Sequence, residues 1–311
     1  MKLVLSVVLV LLSVLCTHAY CPADRTAKLY GVDGAGLGSI SGGSGTPGDD
    51  DNHVPSSLYI IDPEDGSFEL VGLIGDGYNH TIAIAACPFT SALYAVDNGN
   101  SQQLLKLDSS TGAATPIGPT GGQIADMAFG PDGTLYGWLE RNSVEEDRLV
   151  TISTETGAFT LLDDFGTETR QSGVAVDHSG VIWMKRDDFL PGPPKNFLHR
   201  LTSTGLNDAS VEMSSRTGNL LAYSPDGMLY TATRDSPNAN IQIINPDTGM
   251  VSTVSTTAIP RLAGFTFRCE TGPTGGAAIG AIIGIIVGFL VLLCCCWCCM
   301  AWMSDRARKG N

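Results

Sequence analysis

Five acidic residues stand in one recurring local context: Asp33 in LYGVD, Asp97 in LYAVD, Glu140 in LYGWLE, Asp187 in IWMKRD and Asp235 in LYTATRD. Carboxylates repeated in this way and carried to one face form a ring, which could hold a cation such as Ca²⁺ or attract a basic ligand. The competing reading is plainer, since Asp is common where a strand runs into a turn. Catalysis needs more than a ring: an acid and a base, or a nucleophile and its base, must converge within hydrogen-bond reach. His53, His80, His178 and His199 are spread along the chain, and none is paired at a metal-ligand spacing. No Gly-x-Ser-x-Gly elbow or nucleophilic cysteine signature occurs. GAGLGS at 34–39 has the letters of a phosphate loop, but no helix pattern follows it. Asp126, in IADMAF, is the one acid within the apolar inner strands read below, so a glycosidase-like carboxylate pair lacks its second member.

The elements that would position these groups follow from a repeat. Two patterns alternate between Leu29 and Ser255. The first is an apolar stretch, a turn and a hydrophobic–aromatic pair: IAIAACPFTSALYAVD (82–97), IADMAFGPDGTLYGWL (124–139), SGVAVDHSGVIWMKR (172–186) and LLAYSPDGMLYTATR (220–234). The second is a strand, a tight turn ending in Gly and another strand, as in LYIIDPEDGSFELVG (58–72), LLKLDSSTGAATPIG (104–118) and IQIINPDTGMVSTVS (241–255). The turn glycines Gly66, Gly112, Gly157, Gly205 and Gly249 are spaced 46, 45, 48 and 44 residues apart. Each unit holds two hairpins, so the expected fold is all-β: a five-bladed β-propeller with about four strands per blade. The turn chemistry agrees, because Asp or Ser bonds back to the backbone and Gly supplies φ > 0.

The ends of the repeat predict closure. AKLYGVDG (27–34) has an aromatic strand with no inner strand before it, and RLAGFTFRC (261–269) is an inner strand with nothing after it. Together they make one shared blade, which leaves no sheet edge open between the chain ends. Cys21 precedes the second strand of that blade and Cys269 follows its first, so a Cys21–Cys269 disulfide would staple the ring. The loop-entropy argument values so long a loop at roughly 4–5 kcal/mol. Cys87 lies in the matching loop of the next blade, where it could replace either partner, pair between chains or stay free.

The units ALYAVDNGNSQQLLKLDSSTGAATPIG and MLYTATRDSPNANIQIINPDTGMVSTVS resemble the blades of extracellular propellers of the YVTN type, whose repeats run LY…D…DP-TG. The resemblance spans residues 27–268 and implies the propeller fold; fold alone does not set function. The Gly-His to Trp-Asp signature of WD40 blades and the paired glycine of kelch blades are absent.

Both ends read as membrane signals. Residues 1–19 have the charge, apolar run and small-residue end of a secretory signal peptide. Residues 20–272 then form the extracellular propeller, with a Gly/Ser/Asp-rich loop at 34–57 that reads as disorder or as a binding arm. Residues 273–303 are long and apolar enough for one C-terminal transmembrane helix, and 304–311 make a short basic cytoplasmic tail. Gly276, Gly280, Gly284 and Gly288 share one helix face, a candidate homo-oligomer contact within the membrane. Cys294, Cys295, Cys296, Cys298 and Cys299 are candidates for palmitoylation, and Asn79 in Asn-His-Thr for N-glycosylation.

The whole chain has 311 residues, 37 of them Gly, with a net charge of −14. Residues 20–275 hold 14 basic and 31 acidic residues, a net of −17, which excludes a nucleic-acid partner and favours cationic ones. The expected protein is a single-pass type I cell-surface protein of the plasma membrane or another secretory-pathway membrane. Its partners are the lipid bilayer and an extracellular protein or carbohydrate ligand, bound in an adhesion or receptor-like role without catalysis. Trp138 and Trp183 are the aromatics that would supply a binding patch or pack between blades. The alternatives are a propeller hydrolase or lyase using the acidic ring with a bound cation, and a structural surface-coat protein.

Overall fold

Apolar alternation makes the strands, and Asx or Ser turns separate them. In DPEDG the Glu64 amide donates to Asp62 Oδ1 (2.8 Å), in DSSTG the Ser110 amide donates to Asp108 Oδ1 (2.8 Å), and in NPDTG the Asp247 amide donates to Asn245 Oδ1 (3.0 Å). The computed structural model describes residues 21, 26–34, 55–99, 102–140, 148–164, 173–188, 195–202, 207–215, 217–218, 220–233, 238–259 and 261–270. In chain order the strands are β1 (Ala27–Asp33), β2 (Ser57–Ile61), β3 (Phe68–Leu73), β4 (Thr81–Ala86), β5 (Leu93–Asp97), β6 (Gln103–Leu107) and β7 (Ala114–Pro119). They continue as β8 (Ile124–Phe129), β9 (Leu135–Leu139), β10 (Arg148–Ile152), β11 (Phe159–Asp164), β12 (Val174–Val176), β13 (Ile182–Asp188) and β14 (Lys195–Leu201). The last are β15 (Asn207–Glu212), β16 (Ala222–Tyr223), β17 (Leu229–Ala232), β18 (Ala239–Ile244), β19 (Val251–Thr257) and β20 (Leu262–Cys269).

These strands form five sheets of four: β20-β1-β2-β3, then β4 to β7, β8 to β11, β12 to β15 and β16 to β19, the last four each in sequence order across the sheet. All neighbours are antiparallel, and the chain is a five-bladed β-propeller with inner strands β20, β4, β8, β12 and β16. The first blade joins the two chain ends, with Ala27 opposite Cys269, Tyr30 opposite Thr266 and Val32 opposite Gly264. The chain divides into two units after Cys269, and the propeller is the first.

Five buried clusters hold the blades side by side. Leu29 and Ile61 of the first blade meet Ala222 and Ile241 of the fifth. Val32 and Leu58 meet Ile84 and Leu105 across the first and second blades. Val96 and Leu104 meet Met127 and Val150 across the second and third. Trp138 meets Val174 and Ile182 across the third and fourth, and Leu198 meets Leu229 and Ile244 across the fourth and fifth. A cluster at every junction means the ring is closed. The inner strands place small residues where the blades converge, among them Ala83, Ala85, Ala125, Ala175 and Ala263, all buried.

The turn glycines have a second role beyond their positive φ. At Gly112 (φ +78°) an added Cβ would lie 2.7 Å from the Gly72 carbonyl oxygen of the preceding blade, and at Gly66 (φ +78°) it would lie 2.1 Å from the Thr256 carbonyl oxygen across the closing junction. At Gly66, Gly112, Gly157 and Gly249 the second hairpin therefore rests on the outermost strand of the blade before it. Gly112→Ala is expected to cost roughly 2–4 kcal/mol, from left-handed strain plus a displaced blade contact. Denaturant unfolding of the wild type and variant measures this, and a cost below about 0.5 kcal/mol, the range of an ordinary surface substitution, would contradict it.

The expected signal peptide, transmembrane helix and tail lie outside the described residues, as do Gly276, Gly280, Gly284, Gly288, the cysteines at 294–299 and residues 35–54 of the long loop. Among the described residues no helix is long and apolar enough to cross a membrane.

Candidate functional site

Strand direction sorts the functional residues onto two ends of the propeller. The inner strands begin at the end where β1, β5, β9 and β13 finish, so Asp33, Asp97 and Glu140 share that end. Asp235 and the Asp187 side chain lie outside the described residues. Many of the buried polar side chains gather at the same end: Ser56, Ser57, Thr81, Thr120, Asn196 and Thr257.

Two of the ring carboxylates are described in detail, and both turn to their own blade edges. Asp33 Oδ1 accepts from the Ser57 amide (2.7 Å) and Oδ2 from the Tyr59 hydroxyl (2.9 Å). Asp97 Oδ1 accepts from the His80 amide (2.9 Å) and Oδ2 from the Gly99 amide (3.0 Å). Among the described residues no three His, Cys, Asp or Glu side chains converge as a metal requires. The donor set of Asp33 and Asp97 is thus taken up by amides and a phenol, and the pair does not fit a Ca²⁺ ion, which needs six to eight oxygens.

Burial pushes the Asp33 carboxyl above its ordinary value against the lowering effect of its hydrogen bonds. Burial, and then the adjacent Asp33 charge, push the Tyr59 phenol up to about 12. Both groups hold their protons more tightly folded than unfolded. Asp33 therefore favours the fold below the ordinary Asp range, and that contribution is lost as pH rises through its raised value. The Tyr59 contribution is complete below pH 10 and is lost as pH rises toward about 12. Alkaline spectrophotometric titration is expected to show a phenol ionising near pH 12 that Tyr59→Phe removes. A titration unchanged by the substitution would contradict the pairing.

Asp126 is 1% exposed and lies where three blades meet. Its Oδ2 accepts from the Val174 and Leu221 amides (both 3.0 Å), and its Oδ1 from the Met127 amide (2.9 Å). The residue is a tie between the third, fourth and fifth blades. Lys185, 0% exposed, donates from Nζ to the Thr217 oxygen (3.0 Å) and the Gly218 oxygen (2.7 Å) just before the fifth blade. Sequence reading missed Lys185, because a lysine beside Arg186 and Asp187 reads as solvated.

The opposite end, where the inner strands finish, is different in character. A cavity of about 70 Å³ opens there, lined from all five inner strands and their following residues, with Phe129, Tyr223, Phe265 and Phe267 as its aromatic wall. Tyr94 stacks edge-on to Phe129 (5.4 Å), Tyr230 to Phe267 (5.0 Å) and His178 to Tyr223 (5.0 Å). Burial lowers the His178 pKa, against the raising charges of Asp177 and Asp226. On the surrounding turns Phe89 is 44% and Met228 39% exposed. Beside this mouth a groove of about 410 Å³ runs between the third and fourth blades, lined by Asp132, Tyr136, Ser179 and Arg200 among others.

All three propeller cysteines line the aromatic mouth. Cys21 and Cys269 are joined, with Cα atoms 5.2 Å apart, and Cys87 is a free thiol. Trp138 is buried between blades and Trp183 is half-buried, its Nε1 donating to Asp177 Oδ2 (3.2 Å), so neither makes an exposed patch. His80 and Asn79 lie before β4 at the acidic end, with His80 Nδ1 and Asn79 Oδ1 3.0 Å apart. His199 is buried in β14, and His53 lies outside the described residues.

No family model matches the chain, and no curated protein matches it. Solved structures do. The structure of a nidogen/laminin complex matches at 12% identity and a TM-score of 0.49, covering 78% of this chain and 98% of that one. TolB from Acinetobacter baumannii matches at 15% identity and 0.45, covering 69% of this chain and 52% of that one. A gluconolactonase from Xanthomonas campestris matches at 12% identity and 0.45, covering 70% and 76%. At these identities the likeness is one of fold, and the fold is the β-propeller that the strand order describes.

Proposed function

We propose that the chain is a single-pass type I cell-surface protein whose propeller binds an extracellular protein or carbohydrate at its aromatic end. The observation that supports this reading is the mouth itself, where Phe129, Tyr223 and Phe267 line the axis and Phe89 and Met228 stand exposed on the rim. Exposed aromatic and apolar groups beside a polar groove are what a binding face offers, with the apolar part supplying affinity and Asp132 and Arg200 supplying direction. The carboxylates best placed for chemistry, Asp33, Asp97 and Asp126, are instead engaged with backbone amides or a phenol, so the reading contains no catalytic step.

The test is a glycan array and a panel of extracellular proteins probed with cells displaying the full chain. The Phe89→Ser/Met228→Ser variant is expected to lose binding at least about tenfold, as one hot-spot residue suffices for, while its surface level stays unchanged. Binding that survives the double change, or turnover of a bound glycan, would overturn the reading. In the same cells a C-terminal tag is expected to resist external protease, and a digested tag would refute the topology.

A further inference from the structure

We propose that the aromatic mouth takes a positively charged polypeptide segment, one apolar side chain entering the cavity and flanking lysines or arginines meeting the acidic turns around it. The inference rests on the reading that the mouth is the binding face, and it names the partner. The wall of the cavity argues against a sugar. Among its lining side chains only Tyr223 and Thr266 carry a hydroxyl, and none carries an amide, a carboxylate or a base. Thr266 Oγ1 already accepts from the Ala86 amide (3.2 Å). A sugar ring buried there would leave hydroxyls without side-chain partners, whereas an apolar side chain loses nothing by the same burial.

Charge selects the segment. The turns around the mouth are those that follow the inner strands and the third strands, and the described ones run at 62–67, 87–92, 108–113, 130–134, 153–158, 177–181, 224–228 and 245–250. They carry nine carboxylates and no lysine or arginine. Asp132, Asp177 and Asp226 stand on the inner turns of three successive blades, and the other six, Glu64 among them, on the outer turns. All but Asp177 are exposed. The described bases at this end are Lys28, Lys106, Arg200 and Arg268. Arg268 is engaged within the fold, donating from Nε to the Ser91 oxygen (2.6 Å) and from Nη1 to the Tyr30 hydroxyl (3.2 Å).

Each inner carboxylate is held by its own turn. Asp132 Oδ1 accepts from the Thr134 amide (3.0 Å) and Oδ2 from the Thr134 hydroxyl (2.9 Å). Asp177 Oδ1 accepts from the Ser179 amide (2.9 Å) and the Val181 amide (3.0 Å), and Asp226 Oδ1 from the Ser224 hydroxyl. The charges therefore stand at fixed places, and they reach the aromatic groups. Burial first, and then Asp177 and Asp226, raise the Tyr223 phenol. Burial first, and then Asp226 and Glu64, raise the Tyr230 phenol, and burial with Asp132 raises that of Tyr136. The field that holds protons on these phenols also draws a partner's cations toward the mouth.

Random short peptides displayed on phage, selected against the full chain purified in detergent, test this. The selected peptides are expected to combine an apolar residue with flanking lysine or arginine, and their binding to weaken as salt is raised. Asp132→Asn/Asp226→Asn is expected to weaken that binding about threefold to tenfold, as two exposed ion pairs allow. Asp76 is exposed in the loop before β4 at the opposite end. Asp76→Lys changes the net charge by the same amount and is expected to leave binding unchanged. Selection of acidic or uncharged peptides, selection of none, or equal loss in the two variants would overturn the inference. The underlying reading fails separately. Peptide binding that survives Phe89→Ser/Met228→Ser would overturn both, since the mouth is then not the face used. A glycan bound in place of any peptide, and lost with that double change, would overturn the charged partner and leave the mouth as the binding face.

Discussion

Asp126→Ala is expected to lower the stability of the propeller by about 3–5 kcal/mol. The substitution removes the acceptor of the Val174 and Leu221 amides, which belong to other blades 48 and 95 residues away. A buried donor left without a partner costs about 1–3 kcal/mol, and here the Val174 and Leu221 amides lose theirs, along with the Met127 amide's bond to the same carboxylate. Asp126→Asn is the sharper variant. It keeps the shape and one acceptor oxygen but turns an amide N–H toward backbone N–H groups, so it is expected to recover no more than half of the loss. Chemical denaturation of the three proteins measures this. An alanine variant within about 1 kcal/mol of wild type, as expected of an ordinary hydrogen bond, would show that the carboxylate is not a tie.

Cys269→Ser is expected to cost about 4–5 kcal/mol, because the Cys21–Cys269 bond closes a loop with a sequence separation of 248. The loss appears as early unfolding that begins at the shared blade. Cys21→Ser is expected to cost the same, since either change opens the one bond between the chain ends. Wild-type and variant denaturation midpoints with and without a reducing agent measure the loss. A wild type as stable reduced as oxidised would contradict it.

The parts of the fold legible in the sequence were those with local chemistry. The turn glycines repeat because each must take a positive φ, as Gly66, Gly112, Gly157 and Gly249 do. The unpaired half-blades at the two ends read as a closing sheet because each lacked the strands the other had. What the repeat could not reveal were contacts made across blades. The approach of Gly112 to the Gly72 carbonyl, and of Gly66 to that of Thr256, is invisible in either turn alone. The role of Asp126 was half legible: a lone acid in an apolar inner strand was evident, but its partners lie in strands far along the chain. Lys185 carries no local signal at all, since only the tertiary fold brings the Thr217 and Gly218 oxygens to its Nζ.

The candidate site was legible to a lesser extent. Of the five acidic positions, Asp33, Asp97 and Glu140 lie at one end, yet Asp33 and Asp97 point their oxygens at amides of neighbouring segments. Short loops make this the cheaper arrangement, because a strand-end Asp meets an unpaired amide before it meets solvent. The aromatic mouth was not read. Trp138 takes the second of the two roles its size allows, packing between blades, because so large an apolar side chain gains most from burial. The exposed apolar groups on the turns at this end include the smaller Phe89 and Met228, whose place on the rim depends on which way the two turns face.

The claim on which all of this rests is that the chain ends close the ring through one shared blade, and native-state hydrogen exchange tests it most directly. The amides of β1 and β20 that pair across Lys28–Arg268, Tyr30–Thr266 and Val32–Gly264 belong to the ladder joining the two ends. The account predicts that their protection matches that of the β8–β9 ladder, which lies wholly within one continuous stretch of chain. Rapid exchange confined to β1 and β20, with the other four blades protected, would contradict it and describe an open array of four blades with frayed ends.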